Sequence, residues 1–112
     1  GEVAALYPDR TVMLLECGYP SGAGVGSSEE LQADFVRQTF AAWDHRALWL
    51  RVLCFTWLHD RSPGDLESFS RYYGSEDEQF LEFLATLGLR TFDGHPKAAF
   101  DVLRTEAGIR GW

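Results

Sequence analysis

Val12-Met13-Leu14-Leu15-Glu16-Cys17-Gly18-Tyr19-Pro20 is the stretch on which the fold turns. Residues 11–17 form an almost unbroken apolar run that is too short for a helix. It also lacks the alternation of a strand with one wet face. A strand buried on both faces, as in a parallel sheet, reads this way. The run ends in a carboxylate, and Gly18 and Pro20 then break the chain. Residues 47–57 repeat the pattern with Trp, Leu, Val, Leu, Phe and Thr, and close in Leu58-His59-Asp60.

Between the two runs lies a helix. Ser27 with Glu30 reads as a capping box, and the helix is expected over residues 28–43, with Leu31, Phe35, Thr39 and Ala42 on its inner face. Upstream, residues 1–9 read as a frayed helix end stopped at Pro8-Asp9. Downstream, a loop at Pro63-Gly64 leads into a short helix over 65–72. Ser75 with Glu78 reads as a second capping box. The helix it opens carries Phe80, Phe83, Leu84 and Leu87 at helical spacing and stops at Gly88. Pro96 opens a last helix to about residue 106, with Ala99, Phe100 and Leu103 inward.

The order strand, helix, strand, helices is that of parallel β/α units. The expectation is a single α/β domain over residues 1–112 that is only part of a closed architecture. Two strands that are apolar on both faces cannot shield each other, and an isolated two-stranded sheet is marginal in water. Completion is expected from further copies of the chain, as a dimer or tetramer, or from a missing N-terminal part.

Composition narrows the function. The chain is 46% hydrophobic and 24% charged, which suits a packed domain and not a disordered tail. A net charge of −7 with no basic stripe argues against nucleic acid. The apolar run 47–58 is too short to span a bilayer and is broken by Arg51, so no membrane partner is expected. The sequence shows no signal peptide and does not begin with Met, and a soluble protein of unassigned compartment is expected. Cys17 and Cys54 lack metal-type spacing and read as free buried thiols. No metal and no cofactor is expected. Gly22, Gly24 and Gly26 precede a helix as a phosphate cradle would, but the P-loop Lys is missing and Ser27 stands where a third dinucleotide-binding Gly is needed.

In parallel β/α structures, sites form at the carboxyl ends of the strands. Glu16 and Tyr19 follow the first strand, and Trp57, His59 and Asp60 follow the second. A carboxylate beside an indole suits sugar chemistry: the one meets the anomeric carbon, the other covers the apolar face of a pyranose. Strict alternation places Glu16 on one face with Val12 and Leu14, and Trp57 with Leu53 and Phe55. His45 and His95, at helix boundaries, read as capping or solvent groups.

The run 12–20 resembles the seventh strand of clan A (β/α)8-barrel glycoside hydrolases, particularly their galactanase-like and cellulase-like branches. Ser27, Glu30, Gln32 and Ala33 resemble the opening of the seventh helix. Phe55-Thr56-Trp57 with Asp60 resembles the eighth strand and its sugar platform. Gly88-Leu89, Asp93-Gly94 and Pro96-Lys97-Ala98-Ala99 resemble the lead into the last helix. The resemblance implies the last quarter of a TIM-type barrel acting on β-linked oligosaccharides, with Glu16 as the nucleophile of a retaining hydrolase. Trp57, Tyr19, His59 and Asp60 are implied as substrate contacts. The family's general acid, on the fourth strand after an Asn, has no counterpart in a sequence that contains no Asn. Retaining hydrolysis needs two carboxyl groups, so the chain alone is expected to be inactive. A stand-alone oligomeric or sugar-binding β/α domain is the alternative.

Overall fold

The computed structural model describes residues 2–112. Its elements are α1 (Glu2–Leu6), β1 (Val12–Cys17), a 3-10 turn (Ala23–Val25), α2 (Glu29–Asp44), β2 (Leu50–Phe55), α3 (Pro63–Tyr73), α4 (Glu78–Ala85) and α5 (Ala98–Ile109). Both apolar runs are strands, and they pair in parallel as the only sheet among the described residues. β2 begins later than its composition suggests. Trp49 and Leu50 donate to the Arg46 carbonyl, so residues 46–49 form a turn, and Leu48 is left in solvent.

The sheet has one covered face. On this side α2 and α5 pack together, and their Ala33, Val36, Phe40 and Ala99 form a core with Leu89 that takes in Phe55, Phe100 and Leu103. Trp112 closes the end of this layer against Phe40 and, edge-on, Trp43. The opposite face is bare: Met13 and Leu15 are each 59% exposed, and their neighbours Val52 and Cys54 are also open to water. Cys17 is half-buried and Cys54 exposed, so only the expectation that the two thiols are free holds. Burial, and secondarily Cys54, push the Cys17 thiol up from its ordinary value.

The sequence placed the inner stripe of α2 one step away from its true position. Gln32, Ala33, Val36 and Phe40 are buried, while Leu31 is exposed. Phe35, Thr39 and Ala42 instead line an open apolar groove beside β1. The N-cap of α2 is Ser28, whose hydroxyl accepts from Leu31 N; Ser27 donates to the Pro20 carbonyl. Likewise Asp77, not Ser75, caps α4. The reciprocal capping box lies at Ser62 and Asp65, and it starts α3 at Pro63. α4 ends at Ala85, and α5 starts at Ala98, two residues later than its Pro96 signal implied, behind Lys97.

The strand register carries two irregularities, between Val12 and Met13 and between Leu14 and Cys17. Leu14 pairs with Leu53 and Cys17 with Phe55, so β1 holds one extra residue there. Such a bulge breaks alternation. Val12, Leu14 and Cys17 all line the groove beside α2, and Glu16 does not. The expected sharing of a face between Glu16, Leu14 and Val12 is therefore wrong. So is that between Trp57 and Phe55, because Phe55 packs into the helix layer.

Candidate functional site

β2 is followed by a long excursion before α5, the helix that returns to the sheet. α3 and α4 belong to this excursion and pack on each other, with α4 also against the 3-10 turn that follows β1. They sit at the carboxyl ends of the strands, where a β/α architecture builds its sites.

A buried polar junction ties these loops together. Lys97, 3% exposed, donates from Nζ to Asp60 Oδ1 at 2.6 Å, to Ser21 Oγ at 2.9 Å and to the Thr86 carbonyl. Burial pushes the Asp60 carboxyl up, and the Lys97 ammonium opposes that shift. Beside the junction, Gln32 Nε2 faces the carbonyls of Tyr19 at 2.9 Å and Gly88 at 3.0 Å. Burying a lysine and a glutamine is costly unless their donors are satisfied, and these donors are spent on the loops after both strands.

Gly88 belongs to the same junction. A Cβ at this position would run into the His59–Asp60 backbone, so glycine is required by close approach and not as a helix stop. Residues 57–60 run alongside 88–90, with Leu89 N donating to the Trp57 carbonyl and Asp60 N to the Arg90 carbonyl. The Gly22 and Gly24 loop has a similar explanation. The Glu82 carboxylate lies where their side chains would be and accepts from Gly24 N at 3.0 Å. The loop is therefore held against α4.

Above this junction opens a cleft of 340 Å³, lined by Glu16, Gly18, Thr56, Trp57, Tyr73, Phe83, Leu84 and Leu87. Glu16 and Trp57, chosen from sequence, meet here. Glu16 is exposed and enters none of the ion pairs among the described residues. The Thr56–Trp57 peptide is cis. The Arg61 guanidinium lies 3.8 Å over the indole, and Phe69 stacks at 5.9 Å. Arg61 and Phe69 are themselves 5.8 Å apart, and Trp57 stays half-buried at the cleft wall.

The other expected contacts do not line this cleft. Tyr19 stacks on Phe35 at 5.5 Å. His59 is exposed, with its backbone bridged to Arg90. Asp60 turns inward to Lys97. His45 caps α2 and His95 pairs with Asp93 at the surface. Tyr73 and Phe83 line the cleft but were not singled out in sequence. Phe83 belongs to the apolar stripe of its helix, and Tyr73 follows an exposed tyrosine at a helix end. A larger groove of 580 Å³ flanks β1, but it is apolar apart from Gln38, Thr39, Cys17 and Arg46 and lies away from Glu16.

Among the described residues, no three His, Cys, Asp or Glu side chains converge as metal ligands would, and no helix is long and apolar enough to cross a membrane. No protein-family model matches the chain, and no curated protein does. Among solved structures, the chain is similar to a GH5_18 protein from Bifidobacterium longum subsp. infantis, with a TM-score of 0.62 and 24% identity. The match covers 91% of this chain and 20% of that one, so the chain spans about a fifth of its structural neighbour's length. The fold, two consecutive parallel β/α units, is similar to part of that protein's barrel.

Proposed function

We propose that this chain is the closing part of a carbohydrate-active barrel, and that its mouth cleft holds a pyranose on Trp57 with Glu16 directed at the anomeric carbon. The observation that carries this reading is the convergence of Glu16 and Trp57 on one cleft at the carboxyl ends of adjacent parallel strands. The exposed carboxylate and the indole supply an acceptor for sugar hydroxyls and a surface for ring C–H groups. In a completed barrel Glu16 is the nucleophile of retaining hydrolysis, forming a glycosyl ester while an acid from elsewhere protonates the leaving oxygen.

Glu16 is the only carboxylate lining the cleft among the described residues. General-acid help contributes about 10²–10⁴-fold. The chain alone therefore binds sugar without turning it over. Binding is weak, about −4 kcal/mol or millimolar, because few groups converge. The test is a titration of Trp fluorescence and amide NMR shifts with β-1,4-linked gluco- and galacto-oligosaccharides. Saturable shifts at Glu16 and Trp57, lost in Trp57→Ala and Glu16→Ala, are expected. A response that survives both changes would put the sugar elsewhere. Rapid hydrolysis by the chain alone would mean that another group, Asp60 or a neighbouring copy, supplies the acid.

A second reading rests on the bare sheet face at Met13, Leu15 and Val52: a non-catalytic β/α domain that assembles with copies of itself.

A further inference from the structure

The α3–α4 excursion adds something to the cleft that the strand ends do not. Tyr73 stands on the last turn of α3, just before Gly74 reverses the chain at φ +63°. Its ring is held edge-to-face by Tyr72 at 4.9 Å and by Phe80 at 5.4 Å, yet the residue stays 53% exposed. Phe83 on α4 is 40% exposed. Both line the same cleft as Glu16 and Trp57. Large aromatic side chains normally bury themselves. Here two line one cavity and stay open to solvent, one of them, Tyr73, with its ring held by its neighbours.

We propose that Tyr73 and Phe83 form a second stacking wall, separate from Trp57, which holds the next unit of a sugar chain and makes the cleft prefer oligosaccharides over single sugars. The inference rests on the carbohydrate reading of the Glu16–Trp57 pair and deepens it. The first unit lies on Trp57 beside Glu16. The second meets Phe83 and the face of Tyr73, whose hydroxyl can donate to or accept from a ring hydroxyl. This wall comes from the loop region that follows a barrel strand, the part of such folds that varies without disturbing the sheet. The junction of Lys97, Asp60 and Ser21 pins the excursion to the loop after β1, so both walls stay in fixed relation.

The experiment titrates the 112-residue chain with a mono-, di- and trisaccharide of one β-1,4-linked series and follows amide NMR shifts. Wild type is compared with Tyr73→Ala, Tyr73→Phe, Phe83→Ala, Trp57→Ala and Glu16→Ala, and each variant is first checked for an unchanged amide spectrum away from the substitution. Expected is a loss of about tenfold in di- and trisaccharide affinity in Tyr73→Ala and Phe83→Ala, with monosaccharide affinity unchanged. Tyr73→Phe should keep most of the lost affinity, since it keeps the ring. Trp57→Ala and Glu16→Ala should weaken all three sugars. If these last two behave so while Tyr73→Ala and Phe83→Ala leave the longer sugars untouched, or weaken all lengths alike, the second wall is wrong and the Glu16–Trp57 reading stands. If no sugar binds, both fall.

Discussion

Lys97 Nζ lies 2.6 Å from Asp60 Oδ1, and the two side chains are only 3% and 15% exposed. Three segments distant in sequence meet at this contact: the loop after β1 through Ser21, the loop after β2 through Asp60, and the lead into α5. Removing one partner of a buried pair strands the other charge, at a cost of about 3–5 kcal/mol. Lys97→Met should therefore lower the urea midpoint sharply. Adding Asp60→Leu to it should recover part of the loss, because no charge is then left buried alone. Equal destabilisation by single and double variants would show that the ammonium's bonds to Ser21 and Thr86, not the ion pair, matter most.

Gly88→Ala and Gly24→Ala should differ in cost although each adds one methyl. At Gly88 the methyl meets the His59–Asp60 backbone, which is hydrogen-bonded on and has no room to retreat. At Gly24 it meets the end of the Glu82 side chain, which can rotate away with the loss of one exposed hydrogen bond. Overpacking against fixed structure costs about 1–3 kcal/mol or more, whereas losing such a bond costs about 1 kcal/mol or less. Thermal unfolding of the two variants side by side measures the difference. Similar midpoints would mean that the junction yields more easily than its packing implies.

The acid limb of stability should depend on Asp44. Arg110 grips this carboxylate with Nε at 2.8 Å and a terminal amino group at 2.6 Å, joining α2 to α5. Those hydrogen bonds hold the Asp44 carboxyl below its ordinary value. A lowered folded value gives stability that is present above the unfolded pKa, about 4, and is lost as the pH falls through the folded one. Asp44→Asn should thus narrow the gap between neutral and acidic unfolding midpoints. An unchanged acid limb in Asp44→Asn would assign it to other carboxylates.

Assembly should follow from the bare sheet face. Met13 and Leu15 sit side by side with Val52 across an open two-stranded sheet, and contiguous apolar surface of this kind marks an interface or an aggregation site. Light scattering on eluting fractions should find more than one copy per particle. Met13→Glu with Leu15→Lys should shift the mass toward 12.6 kDa without loss of helical signal. A parent chain that is already monomeric and binds no hydrophobic dye would count against this interface.

The strands were legible because an apolar run bounded by Gly and Pro has few other uses. Their parallel order followed from the helix between them. The cap of α2 was misplaced by one residue because Ser27 and Ser28 are adjacent and only geometry tells which hydroxyl reaches Leu31 N. The inner stripe of α2 was misjudged because Gln32, the most deeply set polar group on it, looks like a surface residue until the carbonyls of Tyr19 and Gly88 are seen around its amide. Lys97 was opaque for the same reason. At the site, Glu16 and Trp57 could be chosen because strand ends are where β/α chemistry gathers. Tyr73 and Phe83 could not, because their cleft exists only once two separate helices fold back over the strands. Asp60 was drawn toward the mouth by its position, while the buried ammonium that claims it lay 37 residues away.

The extra residue between Leu14 and Cys17 decides which of Glu16 and Cys17 meets the mouth. In a regular strand of the same length Glu16 would share the face of Leu14 and Cys17 would turn outward. Removing Leu15 takes away the extra residue itself: Leu14 and Cys17 are then two steps apart, as Leu53 and Phe55 are, and the facing of both groups is kept. The mouth therefore tolerates the loss of one residue here but not a change of pairing at constant length. In a chain shortened by removing Leu15, maleimide labelling of Cys17, half-buried in the parent, should stay at the parent rate, and fast labelling would show that the shortened strand has changed its register.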